Sequence, residues 1–244
     1  MSLSAHAAAI VLAGGSGTRL GAARNKVYLP LAGRMVIVWS LVAMAQHPDV
    51  GPVVLVVREG DPHVDEALRA AVDAACPGVE IVTGGATRQE SELAGLRKLA
   101  SRIEGARIDE GGIDVVLIHD GARPMADAPL VDAVLTAART HGGAVPGLRR
   151  DDVVAVTADG LGLAGPAPAG LVAVQTPQAF VADRLLAAYE EAARVGFAGT
   201  DTASCIARFA PDVHVRWVPG DERNFKITYA GDLERAEHVM ADRP

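Results

Sequence analysis

Ala13-Gly14-Gly15-Ser16-Gly17-Thr18-Arg19-Leu20-Gly21, with Lys26 a short distance beyond, is the stretch around which this chain is organised. It succeeds the apolar run Ala7–Leu12, which reads as a strand buried on both faces, and it precedes a helical pattern. Glycines at 14, 15 and 17 let backbone N–H groups approach a polyphosphate without Cβ obstruction, forming a concave anion cradle. Arg19 and Lys26 add fixed positive charge. A Walker A loop would need Lys followed by Ser or Thr after its last glycine, and a dinucleotide fingerprint would need a third glycine where Leu20 stands. Neither template fits. Taken by itself, the loop also reads as a tight strand-to-helix turn with solvated basic residues.

At 244 residues the chain fits one α/β domain, expected over 1–244. Half of it is hydrophobic and only 4% aromatic, so the core is built from small aliphatic side chains, which suits helices laid on a parallel sheet. A formal charge of −7 argues against a sequence-independent binder of nucleic-acid backbones, and anionic ligands must be drawn by local clusters. Cys76 and Cys205 are too few and too far apart for a disulfide framework or a zinc site. No stretch is long enough to span a bilayer, and the amino terminus lacks a charged and then apolar leader. The expectation is a soluble cytoplasmic protein without membrane or nucleic-acid partners.

Along the chain, 35–46 reads as a buried helix, 52–57 as a second buried strand, 65–75 as its following helix and 79–82 as a short strand. Gly84 and Gly85 break that strand, and Ala86-Thr87-Arg88-Gln89-Glu90-Ser91 opens a helix continuing through Leu93, Leu96 and Leu99. This order places backbone donors and Ser91 at a helix N-terminus beside the crevice at the carboxyl end of the sheet; ordinary helix capping is the other reading. The buried run 113–118 delivers His119-Asp120-Gly121-Ala122-Arg123-Pro124, so Asp120 stands at the carboxyl end of a strand, placed to meet a substrate, to cap a helix or to pair with Arg123. A helix at 131–140 and a short strand at 143–146 follow. Between 148 and 171 an alternating Val-rich piece and a glycine turn predict a β-hairpin arm projecting from the main sheet. A two-stranded arm is marginal alone and is expected to pack on another subunit. The chain then returns to the sheet at 172–174, forms helices at 181–194 and 201–208, a strand at 213–218, a strand end at 224–228 and a final helix at 232–240.

L-A-G-G-S-G-T-R-L-G resembles the signature of sugar-phosphate nucleotidyltransferases. Together with Asn25-Lys26, G-G-A-T-R-Q-E-S, H-D-G-A-R-P, Q-T-P-Q, T-D-T-A-S and N-F-K-I-T, in this order and spacing, it resembles the 2-C-methyl-D-erythritol 4-phosphate cytidylyltransferases, the IspD family, over nearly the whole chain. The resemblance implies an α/β fold with a Rossmann-like, mostly parallel sheet flanked by helices, and a homodimer joined through the arm. It also implies that CTP and a polyol phosphate react, with Mg²⁺, to give a CDP-polyol and pyrophosphate. By the same resemblance Arg19, Lys26 and Lys226 are the catalytic cations. Ala13, Gly14, Gly15, Gly17, Gly85, Arg88 and Ser91 lie on the nucleotide side, and Asp120, Arg123, Asp152, Thr176 and Thr200 on the acceptor side. No metal ligand is assigned. The acceptor's phosphate is already ionised, so positioning and electrostatic stabilisation are expected to carry the rate without a strong base.

The chain departs from the family where Asp152 replaces a Thr in the arm, where Pro168 stands in place of an Arg, and where Asn25 and Val27 replace Pro and Gln around Lys26. Loss of an Arg–phosphate bond would weaken acceptor binding by about 1.5–3 kcal/mol. Arg149 and Arg150 are candidates to compensate. Methylerythritol phosphate is the expected acceptor; ribitol phosphate or another polyol phosphate, and a nucleotide-binding homologue with a degraded acceptor site, are the alternatives.

Overall fold

The computed structural model describes residues 6–15, 25–105, 110–199 and 201–241. At its centre lies β1 (Ala7–Leu12), whose side chains are almost all buried because the strand is covered on both faces. It pairs in parallel with β4 (Val50–Val57) on one side and with β6 (Val115–Asp120) on the other. β5 (Glu80–Thr83) extends the parallel half beyond β4. Between β1 and β4 the chain makes a 3₁₀ turn, Lys26–Tyr28, a small hairpin of β2 (Pro30–Leu31) and β3 (Arg34–Met35), and helix α1 (Val36–Ala45).

Helix α2 (Glu66–Ala75) connects β4 to β5, and α3 (Arg88–Glu104) brings the chain back across β1 to β6. Successive crossovers therefore leave β1 in opposite directions. A crevice opens where the order reverses, at the carboxyl ends of β1 and β6.

The far half is mixed. α4 (Ala128–His141) leads into β7 (Gly142–Arg149), which pairs with β10 (Val172–Val174) and β11 (Gln178–Val181) antiparallel and with β12 (His214–Pro219) parallel. β11 also pairs antiparallel with β6 and so joins the two halves. The short run QAFV of β11 is absent from the sequence reading because four residues bounded by a proline and a helix carry too little periodicity.

Alternation along β1 divides the core. Ala7, Ala9 and Val11 face α1, α2 and α4, whereas Ala8 and Ile10 face α3, α5 (Ala182–Arg194) and α6 (Thr202–Phe209). Gly95 lets α3 come close: a Cβ there would lie 2.7 Å from Ile10 Cγ2. A third, smaller cluster around Leu31, Val36, Met125, Ile227 and Ala236 seats α7 (Ala230–Ala241).

The expected arm is present as β8 (Val154–Val156) paired antiparallel with β9 (Leu163–Pro166), a two-stranded sheet of its own. The strand expected at 224–228 is not. The segment is irregular, and the backbone bond it makes with a neighbour runs from Ile227 N–H to the Ala122 carbonyl at 2.9 Å. The carbonyl of Asn224 goes instead to the Arg123 guanidinium. The alternation Phe225-Lys226-Ile227 reflects one buried side chain seated in the small cluster, not a ladder.

Candidate active site

The site is assembled from the ends of β1, β5 and β6. Ala13 N–H bonds to the Val56 carbonyl at 2.8 Å, and Gly121 N–H to the Leu12 carbonyl at 2.9 Å, so the exit of β1 is pinned from both sides. Asn25 Nδ2 donates to the Ala13 carbonyl at 2.9 Å, and its Oδ1 caps the 3₁₀ turn that begins with Lys26. Asn25 thereby ties the strand end to the turn carrying Lys26, a role invisible in the motif. Arg19 and Gly17, on the intervening loop, lie outside the described residues, as does Thr200.

The two glycine pairs have different reasons. A Cβ on Gly15 would meet nothing within 4 Å, and one on Gly14 would make only an ordinary contact with Ser91. These positions leave room for something else. At Gly84 and Gly85, by contrast, a Cβ would lie 2.5 Å from Ser91 Oγ and 2.3 Å from Glu90 Cβ. That pair lets the loop close onto the first turn of α3. The turn is itself a capping box: Thr87 N–H donates to Glu90 Oε2 at 2.8 Å and Glu90 N–H to Thr87 Oγ1 at 3.1 Å. Ser91 Oγ donates to the Thr87 carbonyl at 2.9 Å and also lines the crevice.

The resulting cavity, about 380 Å³, is walled by Ala13, Gly14, Gly15, Lys26, Gly85, Arg88, Ser91, Asp120 and Lys226 among others. Asp120 is its electrostatic centre. Arg88 Nη1 lies 2.5 Å from Oδ1, Lys226 Nζ 2.8 Å from Oδ2, and Arg123 Nε 3.9 Å from Oδ2. Burial would raise the Asp120 pKa, but Arg88 and Lys226 outweigh it and hold the group well below the usual carboxylate range. Arg88 also pairs through Nε with Glu92 Oε1 at 2.8 Å. Burial would lower its pKa, and the two carboxylates override that and keep it charged.

Behind Asp120 the polar groups are in fixed roles. Asp120 N–H donates to Thr176 Oγ1 at 2.9 Å, which leaves the Thr176 hydroxyl proton to point at His119 Nδ1, 3.1 Å away. His119 Nε2 faces the Arg123 carbonyl at 3.0 Å and must carry the ring proton, because a carbonyl only accepts. Full burial pushes the His119 pKa down to about 4, so the ring is neutral and is a structural member of the site.

Arg123 directs Nη1 to the Asn224 carbonyl at 2.7 Å and Nη2 to the Val174 carbonyl at 3.4 Å. Asn224 Nδ2 donates to the Thr176 carbonyl at 2.9 Å, and Gln175 Nε2 to the Asp221 carbonyl at 2.8 Å. These contacts lace the segment bearing Lys226 to the turn after β10. Gln89 similarly spans to the Phe197 carbonyl and the Gly199 N–H, at 2.8 and 2.7 Å. The motifs G-G-A-T-R-Q-E-S, Q-T-P-Q and N-F-K-I-T contain Gln89, Gln175 and Asn224, but only the tertiary contacts show what these side chains do.

Asp152 stands apart, in the exposed arm, where Arg150 holds it bidentately at 2.9 and 2.8 Å. Arg149 stacks on Trp217, 5.3 Å from the ring centroid. Within one chain neither arginine reaches the cavity wall.

For Mg²⁺ the described residues make no protein cage. No three His, Cys, Asp or Glu side chains converge among them, and Asp120, the carboxylate on the wall, has both oxygens engaged by cations.

A cation-lined hollow at the reversal point of an open α/β sheet, walled by glycines, is where such a fold takes an anionic ligand, and the class its relatives give it is nucleotidyltransferase. The family model for 2-C-methyl-D-erythritol 4-phosphate cytidylyltransferase, IspD, matches residues 7–242. The chain belongs to that family. It is 37% identical over 235 residues to the enzyme of that name from Synechococcus sp., covering 96% of each chain. To the one from Thermobifida fusca it is 38% identical over 242 residues, covering 96% of this chain and 92% of the other. Its fold superposes on a 4-diphosphocytidyl-2C-methyl-D-erythritol synthase from Anaerococcus prevotii with a TM-score of 0.77, at 25% identity and 96% coverage of each.

Proposed function

We propose that this chain transfers the cytidylyl group of CTP to 2-C-methyl-D-erythritol 4-phosphate and releases pyrophosphate, in the isoprenoid precursor pathway. The observation that carries the reading is the convergence of Lys26, Arg88 and Lys226 on one glycine-walled cavity, in a chain whose relatives bear that enzyme's name.

A phosphate oxygen of the acceptor attacks the α-phosphorus of CTP and forms the new P–O bond. The bond from that phosphorus to the oxygen bridging to the β-phosphorus breaks, and pyrophosphate leaves with the electron pair. The attacking monoester is already an anion, and the neutral His119 is buried behind the site, so no general base is invoked. Lys26, with Arg19, neutralises the triphosphate. Lys226 exchanges its ion pair with Asp120 for the incoming acceptor phosphate, and Thr176 supports Asp120 from behind. Mg²⁺, when bound with the nucleotide, would supply further neutralisation of its charge.

The working form is a homodimer. Val154, Val156, Leu161 and Leu163 on the arm are 52%, 62%, 89% and 74% exposed, and a second copy is the cover that this two-stranded sheet needs. No helix among the described residues is long and apolar enough to cross a membrane, and the two cysteines are buried free thiols, which supports a cytoplasmic location. Light scattering should give twice the 25.2 kDa chain mass; a monomer at micromolar concentration would contradict the dimer.

The reading is tested by mixing protein, CTP and Mg²⁺ with a panel of polyol phosphates and measuring pyrophosphate. Methylerythritol phosphate should give the highest kcat/KM. Faster turnover of ribitol phosphate, or no pyrophosphate with any acceptor, would overturn it.

A further inference from the structure

Glu92 is a glutamate 1% exposed, four residues into α3 and outside the cavity wall. Its hydrogen-bond and ion-pair partners among the described residues are donors. Oε1 takes Arg88 Nε at 2.8 Å and Thr202 Oγ1 at 3.1 Å, and Oε2 takes the Tyr189 hydroxyl. Burial pushes its pKa up, and these three donors oppose that push. A carboxylate sunk this deeply is unfavourable unless paired, and here the cation that pairs it ends in the active cavity.

Arg88 is therefore gripped at two points, Nε by Glu92 and Nη1 by Asp120. Lys226 is gripped by Asp120 through a single ammonium, and its side chain is 40% exposed. Arg123 lies farther off, at 3.9 Å, with its guanidinium turned to the Asn224 and Val174 carbonyls; of the two cations within hydrogen-bond distance of Asp120, the lysine is the one able to exchange onto an arriving phosphate. The arginine stays. We propose that Glu92 is a positioning residue for the transfer reaction: from behind the cavity it locks Arg88 onto Asp120, so that Asp120 stays neutralised when Lys226 leaves it for the substrate. Released from Glu92, the long guanidinium would turn toward phosphate, and Asp120 would hold Lys226 more tightly. This rests on the reading of the cavity as the reaction site.

A double-mutant cycle with Glu92→Gln and Arg88→Gln separates positioning from packing. One amide oxygen cannot serve three donors, so Glu92→Gln should lower the acceptor's kcat/KM about tenfold to a hundredfold in the wild-type background. In the Arg88→Gln background it should change kcat/KM less than about twofold. An equal loss in both backgrounds, or none in the first, overturns the proposal. If Glu92→Gln fails to fold, Arg88→Lys decides: it keeps the charge but cannot bridge two carboxylates, and near-normal turnover would overturn the bridge. Nitrogen-15 spectra of the full chain give a readout independent of turnover. The Arg88 Nε–H should be protected from exchange in the wild type, and finding it unprotected overturns the proposal even if the wild type proves inactive on methylerythritol phosphate.

Discussion

Asp120 has more positive charge around it than it can neutralise, and that imbalance makes the cavity attractive to anions despite a chain charge of −7. Lys26, also on the cavity wall, adds to it. Lys26→Ala should reduce kcat by about 10²–10³-fold while leaving thermal stability nearly unchanged, as removal of a transition-state charge contact does. His119 makes a different prediction. Its pKa is near 6.5 when unfolded and about 4 in the fold, so between those values the native state binds fewer protons. Its contribution to stability is complete above about pH 6.5 and is lost as the pH falls toward 4, by up to about 3 kcal/mol. Urea unfolding at pH 7.5 and 4.5 should show that loss in the wild type and a smaller one in His119→Gln; equal slopes would mean that the ring is not held neutral.

At the scale of elements, the two glycine pairs can be told apart experimentally. Gly85→Ala drives a Cβ into Glu90 Cβ at the first turn of α3 and should lower stability by about 1–3 kcal/mol. Gly15→Ala points a methyl into open space, so the melting temperature should hold while the KM for CTP rises. The same melting loss in both variants would remove the distinction. The elements themselves were mostly legible: β1, 53–57 of β4 and 115–118 of β6 carry apolar runs because both faces of their sheet are covered, and Asp120 was readable as the carboxylate just beyond the end of such a run. The support around them was not. Glu92 looks like any polar helix residue until α5 and α6 bring in Tyr189 and Thr202, 97 and 110 positions away. The alternation at 224–228 misled for the same reason, since only tertiary context shows that Arg123 and Thr176, and no strand, receive that segment.

Across the whole molecule, the reversal of strand order at β1 determines where the cavity opens, and the parallel half supplies most of its wall. The apolar side chains of the arm, Val154, Val156, Leu161 and Leu163, are exposed, and the Arg150–Asp152 pair lies away from the cavity. In the proposed reaction the cavity steadies CTP for attack at its α-phosphorus by the acceptor's phosphate. Following CTP labelled with ³²P at the α position tests this most directly. With methylerythritol phosphate and Mg²⁺ the label should pass entirely into the cytidine-linked organic product, leaving the released pyrophosphate unlabelled. Label in pyrophosphate, or label retained in CTP while the protein is folded and dimeric, would contradict the account.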